Sequence, residues 1–186
     1  MICCKGSSSG VSSPTTRFTL WLRYLLYTPL LSIKLRQTRP FVAKDQGYLV
    51  PKKSVFNKII GDSHFELVFA RFLEACPDVV SYAKNYPALH FKLDYVNADG
   101  DISNYYPDFL VKLSDRRIVI VETKGLEDLD VALKMERLGQ WCEDVNRIQS
   151  EVEYDFVYVE QEGFEEYHPT SFRQLMEGFV GHKVGR

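Results

Sequence analysis

The sequence predicts an α/β fold in which helices flank a mixed central sheet. Three observations support this class: helical periodicity begins near Asp62, apolar strand-like runs occupy 105–123, and a second helical stripe precedes a last strand. The predicted order is helix, three strands, helix and strand. A length of 186 residues suffices for one well-cored domain with an appendage and is too short for two full domains.

The first third of the chain differs from the rest in composition. Residues 1–17 are rich in Ser and Gly and short of core-forming side chains, so we expect the leader 1–33 to be disordered or unrelated. Residues 34–61 are basic and are interrupted by prolines, which predicts an extended arm. We assign residues 62–186 to the folded domain.

Charge is divided unevenly along the chain. Residues 1–60 contain 10 Lys or Arg and one acidic residue, whereas 61–186 contain 13 Lys or Arg and 24 Asp or Glu. A basic arm before an acidic domain suits a protein that contacts nucleic acid through a limited surface, because Lys and Arg make phosphate contacts. A solvated basic leader explains the same pattern. Lys52 and Lys53 are the candidate nucleic-acid contacts in the arm.

Other features argue against a membrane protein and a zinc protein. The apolar run 18–33 contains Arg23 and Pro29 and is shorter than the ~20 residues of a spanning helix, so we expect no membrane span. The cysteines show no zinc-ligand spacing. Cys76 and Cys142 lie at apolar helical positions, as buried free thiols do in a reducing compartment, so a cytoplasmic protein is expected.

The first predicted helix begins at Asp62 or Ser63 and ends near Pro77. The segment SHFE has the form of a capping box, with Ser63 as the cap and Glu66 three residues later. Apolar side chains then recur at helical spacing. Glu66 lies at the border of this apolar stripe, where it either completes the capping box or turns towards a site.

Three strands are predicted to follow this helix. Residues 88–96 alternate apolar and polar side chains and run into an Asp-Gly turn. The second strand is expected from Tyr105 to Leu113, and the third from Arg117 to Thr123 after a short polar loop. The apolar residues of the third strand indicate that both of its faces are buried.

The rest of the chain predicts a long helix, a strand and a short helix. An apolar stripe defines a helix over 127–149, and a strand follows over 152–160. Ser171 is the expected cap of a C-terminal helix that ends near Gly178. Gln140, in the long helix, is a candidate contact to the nucleic-acid backbone, although a solvated helical glutamine explains it more simply.

Charged residues lie where the second strand begins and the third ends. Side chains alternate across a strand, so Glu122 and Lys124 project from one face. If the intervening loop holds three residues, Asp108 lies opposite Glu122 with β-carbons about 5 Å apart. A two-residue or four-residue loop would instead place Asp108 opposite Thr123.

Two carboxylates that meet at the end of an apolar hairpin repel each other and predict a cation between them. Mg²⁺ suits such oxygen ligands, so Asp108 and Glu122 would bind it, with the backbone carbonyl of Thr123 as a third candidate. Lys124 would orient or deprotonate the attacking water. The combination predicts a metal-dependent nuclease. Taken singly, Asp108 is explained by its place after a proline at the start of a strand, and Glu122 with Lys124 by a surface charge pair at a strand end.

The order Pro107-Asp108 followed by Glu122-Thr123-Lys124 resembles the PD-(D/E)XK nuclease superfamily. A longer similarity, over about residues 36–150, is to the C-terminal endonuclease domain of the restriction subunit of type III restriction-modification enzymes. It is carried by RQTRPFVAKDQGYLVPKKSVFNKIIGDSHFELVFARFLEACPDVVSYAKN, YYPDFLVKL, VETKG and WCEDVN.

This resemblance implies a restriction-endonuclease-like core of order α-β-β-β-α-β and Mg²⁺-dependent cleavage of double-stranded DNA. Asp108, Glu122 and Lys124 match the catalytic positions of the family. Glu66 matches an acidic helix position that contributes in some members, so it is a further candidate metal ligand.

The resemblance also implies partners that this sequence does not contain. Members of the family carry a helicase or translocase region ahead of the nuclease and work with a methyltransferase subunit, so we expect a fragment. Two other interpretations stay open. One is a non-catalytic DNA-binding or assembly remnant of a truncated helicase-nuclease, and the other is a repair or recombination nuclease of the same superfamily that cuts branched DNA.

Overall fold

The computed structural model describes residues 19–22, 31–34, 40–42, 47–114, 116–124 and 130–179. In chain order, its elements are β1 (Thr19–Leu22), β2 (Leu31–Lys34), β3 (Tyr48–Leu49), β4 (Ile59–Ile60), α1 (His64–Ala75), β5 (Ser81–Lys84), β6 (Leu93–Val96), β7 (Ile102–Tyr105), β8 (Phe109–Ser114), β9 (Arg117–Lys124), α2 (Val131–Ile148), β10 (Glu153–Glu160), α3 (Gln161–Tyr167) and α4 (Phe172–Gly178).

A four-stranded mixed sheet forms the centre of the domain, with the strand order β10-β9-β8-β5. β10 runs parallel to β9 and follows it through α2, while β8 runs antiparallel to both β9 and β5. Six consecutive residues of β9 are buried, because the strand has neighbours on both sides and is covered on both faces. The mixed α/β class predicted from the sequence is therefore confirmed.

Helices pack on both faces of this sheet. On one face, Phe69 of α1 lies 5.5 Å, between ring centroids, from Phe109 of β8. Phe164 of α3 joins the same aromatic cluster, 5.7 Å from Phe69. On the other face, Trp141 of α2 packs edge-on against Tyr154 of β10 with centroids 5.4 Å apart. The domain thus has three layers, with the aromatic core divided between two interfaces.

Strand register decides which layer each side chain of β9 meets. Phe109, which faces α1, pairs with Val121. Because side chains alternate along a strand, Thr123 also lies on the α1 face, whereas Glu122 and Lys124 lie on the α2 face. The end of β9 therefore presents charged groups to one layer and a hydroxyl to the other.

The predicted helices are found, with small differences in their ends. The side chain of Ser63 accepts a hydrogen bond from the Glu66 amide (3.2 Å), so α1 begins at the predicted cap. The carboxylate of Glu66 accepts from the amide of Asp62 (2.9 Å), one residue before the amide that a standard capping box uses. α2 lies within the predicted 127–149, and α4 begins after the predicted cap Ser171. No helix among the described residues is long and apolar enough to cross a membrane.

The first predicted strand, 88–96, is a strand only in its second half and does not join the central sheet. Its first residues form a short 3₁₀ turn, Pro87–Leu89, and its last residues form β6, which pairs with β7 in a separate hairpin. The outer strand of the central sheet is instead β5, for which the sequence analysis predicted no strand. Alternating burial of Leu93 and Tyr95 identifies a half-buried strand, but it does not identify the sheet to which the strand belongs.

The second predicted strand, 105–113, is divided between β7 and β8 at Pro107. A proline has no amide hydrogen to donate, so ladder pairing resumes after it. The amide of Asp108 donates to the Val121 carbonyl (3.0 Å), and the amide of Asn85 donates to the Asp108 carbonyl (2.7 Å). The chain thereby passes from the hairpin into the central sheet at the residue that carries the candidate carboxylate.

The helix α3 has no counterpart among the elements predicted from the sequence.

The hairpin of β6 and β7 is attached to the N-terminal half of α2. The hydroxyl of Tyr95 donates to the carboxylate of Asp130 (2.8 Å), which also accepts from the amide of Ala98 (3.1 Å). The guanidinium of Arg137 donates to the carbonyl of Asp94 (3.0 Å). These contacts hold the hairpin on the α2 face of the sheet.

The predicted leader and arm are partly described. β1 and β2 pair antiparallel at the end of the leader, and the rest of residues 1–33 lies outside the described residues. In the second half of the arm, 34–61, β3 pairs with β4. Phe56 and Ile59 of this segment are fully buried in the core, and Phe56 contacts the ring of Tyr86 edge-on at 5.4 Å.

The buried cysteines provide a test of the core. Cys76 and Cys142 are both buried and free, and burial, with Asp78 adding to it, raises the pKa of the Cys76 thiol to about 12. Because the thiolate is the reactive form, a Cys3→Ser/Cys4→Ser variant should react with a thiol reagent at pH 8 at least ~100-fold more slowly when native than when unfolded. Equal rates, followed by absorbance under both conditions, would contradict the burial of these thiols.

Candidate active site

The turn between β8 and β9 differs from the predicted one. Ser114 pairs with Arg117, so two residues lie between them where the favoured prediction had three. Taken alone, a two-residue loop would place Asp108 opposite Thr123. The predicted loop length is therefore wrong.

A β-bulge at Leu113 compensates for the shorter loop. It takes up one extra residue on β8, and beyond it the strands resume the register that the three-residue loop would have given. The last pair is Phe109 with Val121. The amide of Asp108 also donates to the carbonyl of Val121 (3.0 Å), so the regular ladder ends before Asp108. The predicted pairing of Asp108 with Glu122 is not part of the observed ladder. The carboxylate of Asp108 instead contacts Thr123 and Lys84, whose side chains lie on the α1 face.

The carboxylate of Asp108 is fixed by hydrogen bonds from two directions. Its Oδ2 atom accepts from the amide (2.8 Å) and the hydroxyl (2.6 Å) of Thr123. Its Oδ1 atom accepts from the ammonium of Lys84 at 3.1 Å. The carboxylate therefore spans the end of the sheet, between the last residues of β9 and of β5.

Lys84 is part of this cluster, and the sequence analysis did not identify it. Its side chain is 2% exposed, and its Nζ atom lies 2.7 Å from Glu66 Oε2 and 3.6 Å from Asp62 Oδ2. Burial alone would lower the pKa of Lys84, but the neighbouring carboxylates, Asp108 first and Glu66 next, raise it above its ordinary value. The side chain is therefore a buried ammonium ion.

Glu66 connects α1 to the same cluster. It is buried, and burial raises the pKa of its carboxylate although the charge of Lys84 opposes this rise. The two roles considered for Glu66 coexist, because the same Oε2 atom accepts from the Asp62 amide and from the Lys84 ammonium.

Glu122 lies in a different environment, on the α2 face of the sheet. The side chain is buried, and its Oε2 atom accepts from the hydroxyl of Tyr105 at 3.1 Å. Burial and, next, the charge of Asp108 raise the pKa of Glu122 well above its ordinary value. The hydrogen bond from Tyr105 and the charges of Lys124 and Lys134 oppose this rise. Glu122 is thus a buried carboxylate whose charged form is opposed by burial and by the charge of Asp108.

Lys124 is the last residue of β9 and is partly exposed. It lies on the same face as Glu122, and its charge acts on that carboxylate. The charges of Asp108 and Lys124 both act on Glu122, whereas the hydrogen bonds of Asp108 are made to Thr123 and Lys84. That these three residues form a site stays a prediction.

The donor groups fit Mg²⁺, which keeps several water ligands, better than a metal ion whose ligands must all come from the protein. Within the described ranges, no group of three or more His, Cys, Asp or Glu side chains is placed to hold a metal ion. Asp108 and Glu122, whose charges act on each other, remain as hard oxygen donors. Mg²⁺ is usually bound through one or two carboxylates and keeps several of its waters, so this smaller donor set suits it.

Lys52 and Lys53 lie at the other end of α1. Their backbone amides donate to the carboxylate of Glu74 (2.9 and 3.0 Å), and the ammonium of Lys53 donates to the carbonyl of Cys76. Glu74 is eight residues from Glu66, about 12 Å along the helix axis. These two lysines therefore border a different region from the carboxylate cluster, and their contact with nucleic acid stays a prediction.

Gln140 is exposed on α2, where its amide nitrogen donates to the carboxylate of Asp144 (3.3 Å). It lines a shallow groove between α2 and β6 together with Tyr95, Val96, Leu133, Glu136 and Arg137. This arrangement does not test the predicted contact of Gln140 with a nucleic-acid backbone.

Similarity to known proteins was sought in three ways. No family model matches the chain, and neither the curated proteins nor the solved structures contain a match. The functional proposal therefore depends on the residues of the chain itself and on their geometry.

Proposed function

We propose that this domain is a Mg²⁺-dependent deoxyribonuclease with a PD-(D/E)XK core, as its resemblance to type III restriction nucleases implies. The observation that carries the proposal is the buried Glu122 carboxylate, on which the charge of Asp108 acts, with Lys124 two residues further along the same strand. A carboxylate buried beside another carboxylate destabilises a fold unless a cation compensates it. A divalent ion bound by both would supply that compensation.

The residues around the site have distinct tasks in this proposal. When bound, Mg²⁺ would act as a Lewis acid and neutralise charge on the phosphoryl group. Thr123 fixes the orientation of Asp108, and Tyr105 fixes that of Glu122. Lys124 would orient the attacking water. The water oxygen bonds to phosphorus and gives its proton to solvent. The bond from phosphorus to the sugar oxygen breaks, and that oxygen takes a proton from solvent and leaves as a hydroxyl.

Double-stranded DNA is the proposed substrate. The segment 61–186 is acidic overall, so further basic surface would have to supply phosphate contacts. The resemblance implies that a helicase or translocase region and a methyltransferase subunit provide it, and we place the protein with them in the cytoplasm.

The proposal is tested by nicking of supercoiled plasmid with Mg²⁺ and with EDTA. We expect wild-type nicking to require Mg²⁺. Asp108→Asn and Lys124→Met should each lower the rate at least ~100-fold, as loss of metal binding or of general acid-base catalysis does. Glu177→Gln and Lys58→Met, which remove a carboxylate and an ammonium outside the cluster, should nick like the wild type.

Two results would contradict the proposal. Nicking that survives in Asp108→Asn and Lys124→Met would have to come from other residues or from a contaminating nuclease. A folded wild type that is inert with Mg²⁺ would exclude an autonomous nuclease.

A non-catalytic DNA-binding or assembly module is the second candidate. It is favoured by the ammonium of Lys84, which already neutralises part of the charge of Asp108 and Glu66 without a metal. In this case, gel-shift binding of linear duplex would be the same in wild type and Asp108→Asn and would not respond to Ca²⁺.

A further inference from the structure

Lys84 has an unusual position for a lysine. It ends β5 with 2% of its side chain exposed, and lysines are almost never so buried unless they are paired. Its ammonium contacts Glu66 at 2.7 Å and Asp108 at 3.1 Å, while Asp62 lies at 3.6 Å and is largely exposed. The two close partners belong to different elements, α1 and the entry to β8.

The space between Glu66 and Asp108 is therefore filled by a single positive charge that belongs to the chain. Without that charge, two largely buried carboxylates would repel each other across the end of the sheet. A hard divalent cation could also bridge carboxylates in this way. The ammonium thus makes the contacts that a second metal ion would make.

We infer that Lys84 is the built-in counter-ion of the candidate active site: it holds Glu66 and Asp108 together in place of a divalent cation. Glu66 is then a partner of Lys84, and the proposed metal binding is confined to Asp108 and Glu122, with one ion per chain. The count of one metal ion rests on the proposed nuclease function, whereas the counter-ion role of Lys84 does not.

Lys84 acts on the site through Asp108, so it is a positioning residue. Its ammonium also lies 5.3 Å from the centroid of the Phe109 ring, so part of its effect on stability comes from packing. Lys84→Met keeps most of that packing and removes the charge. A charge-specific measurement must then separate the two contributions.

The first measurement is a double-mutant cycle of Lys84→Met and Glu66→Gln, followed by thermal unfolding in EDTA. In the wild-type background, Glu66→Gln removes the closest partner of Lys84 and should lower Tm. In the Lys84→Met background, the same change removes an uncompensated carboxylate and should raise Tm. Reversal of sign is the expected result, and a change of the same sign in both backgrounds would overturn the inference.

The cycle remains informative if Lys84→Met alone is unfolded. The double variant should then recover native structure by circular dichroism, because the unpaired Glu66 charge is gone. A double variant that is no more folded than Lys84→Met would show that charge compensation is not the role of Lys84, and would overturn the inference.

The second measurement adds Mn²⁺, without DNA, to the same variants. Saturating Mn²⁺ should raise the Tm of Lys84→Met by about 5 °C more than that of the wild type. Adding Glu66→Gln to Lys84→Met should abolish this extra rise in Tm. Lys112→Met is the matched control, since Lys112 is buried on β8 three residues from Phe109, about 10 Å along the strand, and should show no extra rise.

Calorimetric titration then gives the number of ions bound. We expect one Mn²⁺ per wild-type chain and two per Lys84→Met chain, whereas two in the wild type would overturn the inference. No binding to the wild type would contradict the nuclease proposal and the metal count. The sign reversal in the cycle would still establish the counter-ion role, so the two failures are distinguishable.

Discussion

Glu122→Gln is expected to make the metal-free protein more stable at pH 7.5 while abolishing Mg²⁺-dependent DNA cleavage. Glutamine has nearly the same shape, and its carbonyl oxygen can still accept from the hydroxyl of Tyr105. The substitution removes a charge that is buried beside Asp108. We expect a gain of at least ~1 kcal/mol in the free energy of unfolding, since one unit of pKa shift corresponds to about 1.4 kcal/mol.

The pH dependence of this gain has a definite sign. The pKa of Glu122 in the folded state lies well above 4.5, its ordinary value, mainly because of burial. The folded state therefore binds the proton more tightly than the unfolded chain does. Stability from this group is fully present below pH 4.5 and is lost as pH rises through the folded pKa. The advantage of Glu122→Gln should thus be absent below pH 4.5 and grow through that window.

Chemical denaturation in EDTA between pH 4 and 8 measures this difference. The control is Glu153→Gln, which replaces an exposed carboxylate at the start of β10 and should change stability by less than about 0.5 kcal/mol. A Glu122→Gln variant that is less stable than the wild type at pH 7.5 would mean that the ionised carboxylate is already well compensated. The need for a divalent cation between Asp108 and Glu122 would then disappear.

The hairpin that carries the site was predictable because two constraints act on it together. The apolar run of β9 requires burial on both faces, and the polar loop before Arg117 locates its start. The register of the paired residues from Phe109 to Lys112 followed from counting residues, but the bulge at Leu113 and the end of the regular ladder before Asp108 did not. A bulge depends on how the strand twists under its helices, and the local sequence carries little signal for it.

The strand β5 illustrates what the sequence could not reveal. Its four residues, Ser81–Lys84, are all buried, yet two of them are polar and they precede an Asn-Tyr-Pro segment that reads as a turn. Lysine is among the residues least often found inside a protein. Lys84 becomes understandable only when α1 and β8 bring Glu66 and Asp108 to it from 18 and 24 residues away. That information is tertiary, so neither periodicity nor spacing contains it.

Asp108→Ala is expected to lower the free energy of unfolding by about 3 kcal/mol, as the loss of one partner from a buried, hydrogen-bonded charge cluster does. The truncation leaves the amide and hydroxyl of Thr123 without their acceptor and leaves Lys84 with Glu66 as its remaining close partner. Asp108→Asn retains one carbonyl oxygen as an acceptor and should cost only about 1 kcal/mol. Urea denaturation in EDTA compares the two variants.

Both substitutions remove a charged metal ligand, so both should abolish Mg²⁺-dependent nicking despite their different stabilities. That separation matters because an inactive Asp108→Ala protein alone would not distinguish a lost ligand from a lost fold. If the two variants were equally stable, the contacts of Asp108 with Thr123 and Lys84 would contribute nothing to the free energy of unfolding. Other residues would then have to orient the carboxylate of Asp108. If Asp108→Asn remained folded and fully active, Asp108 would not be a metal ligand. The carboxylate cluster would then be a structural feature of the sheet end.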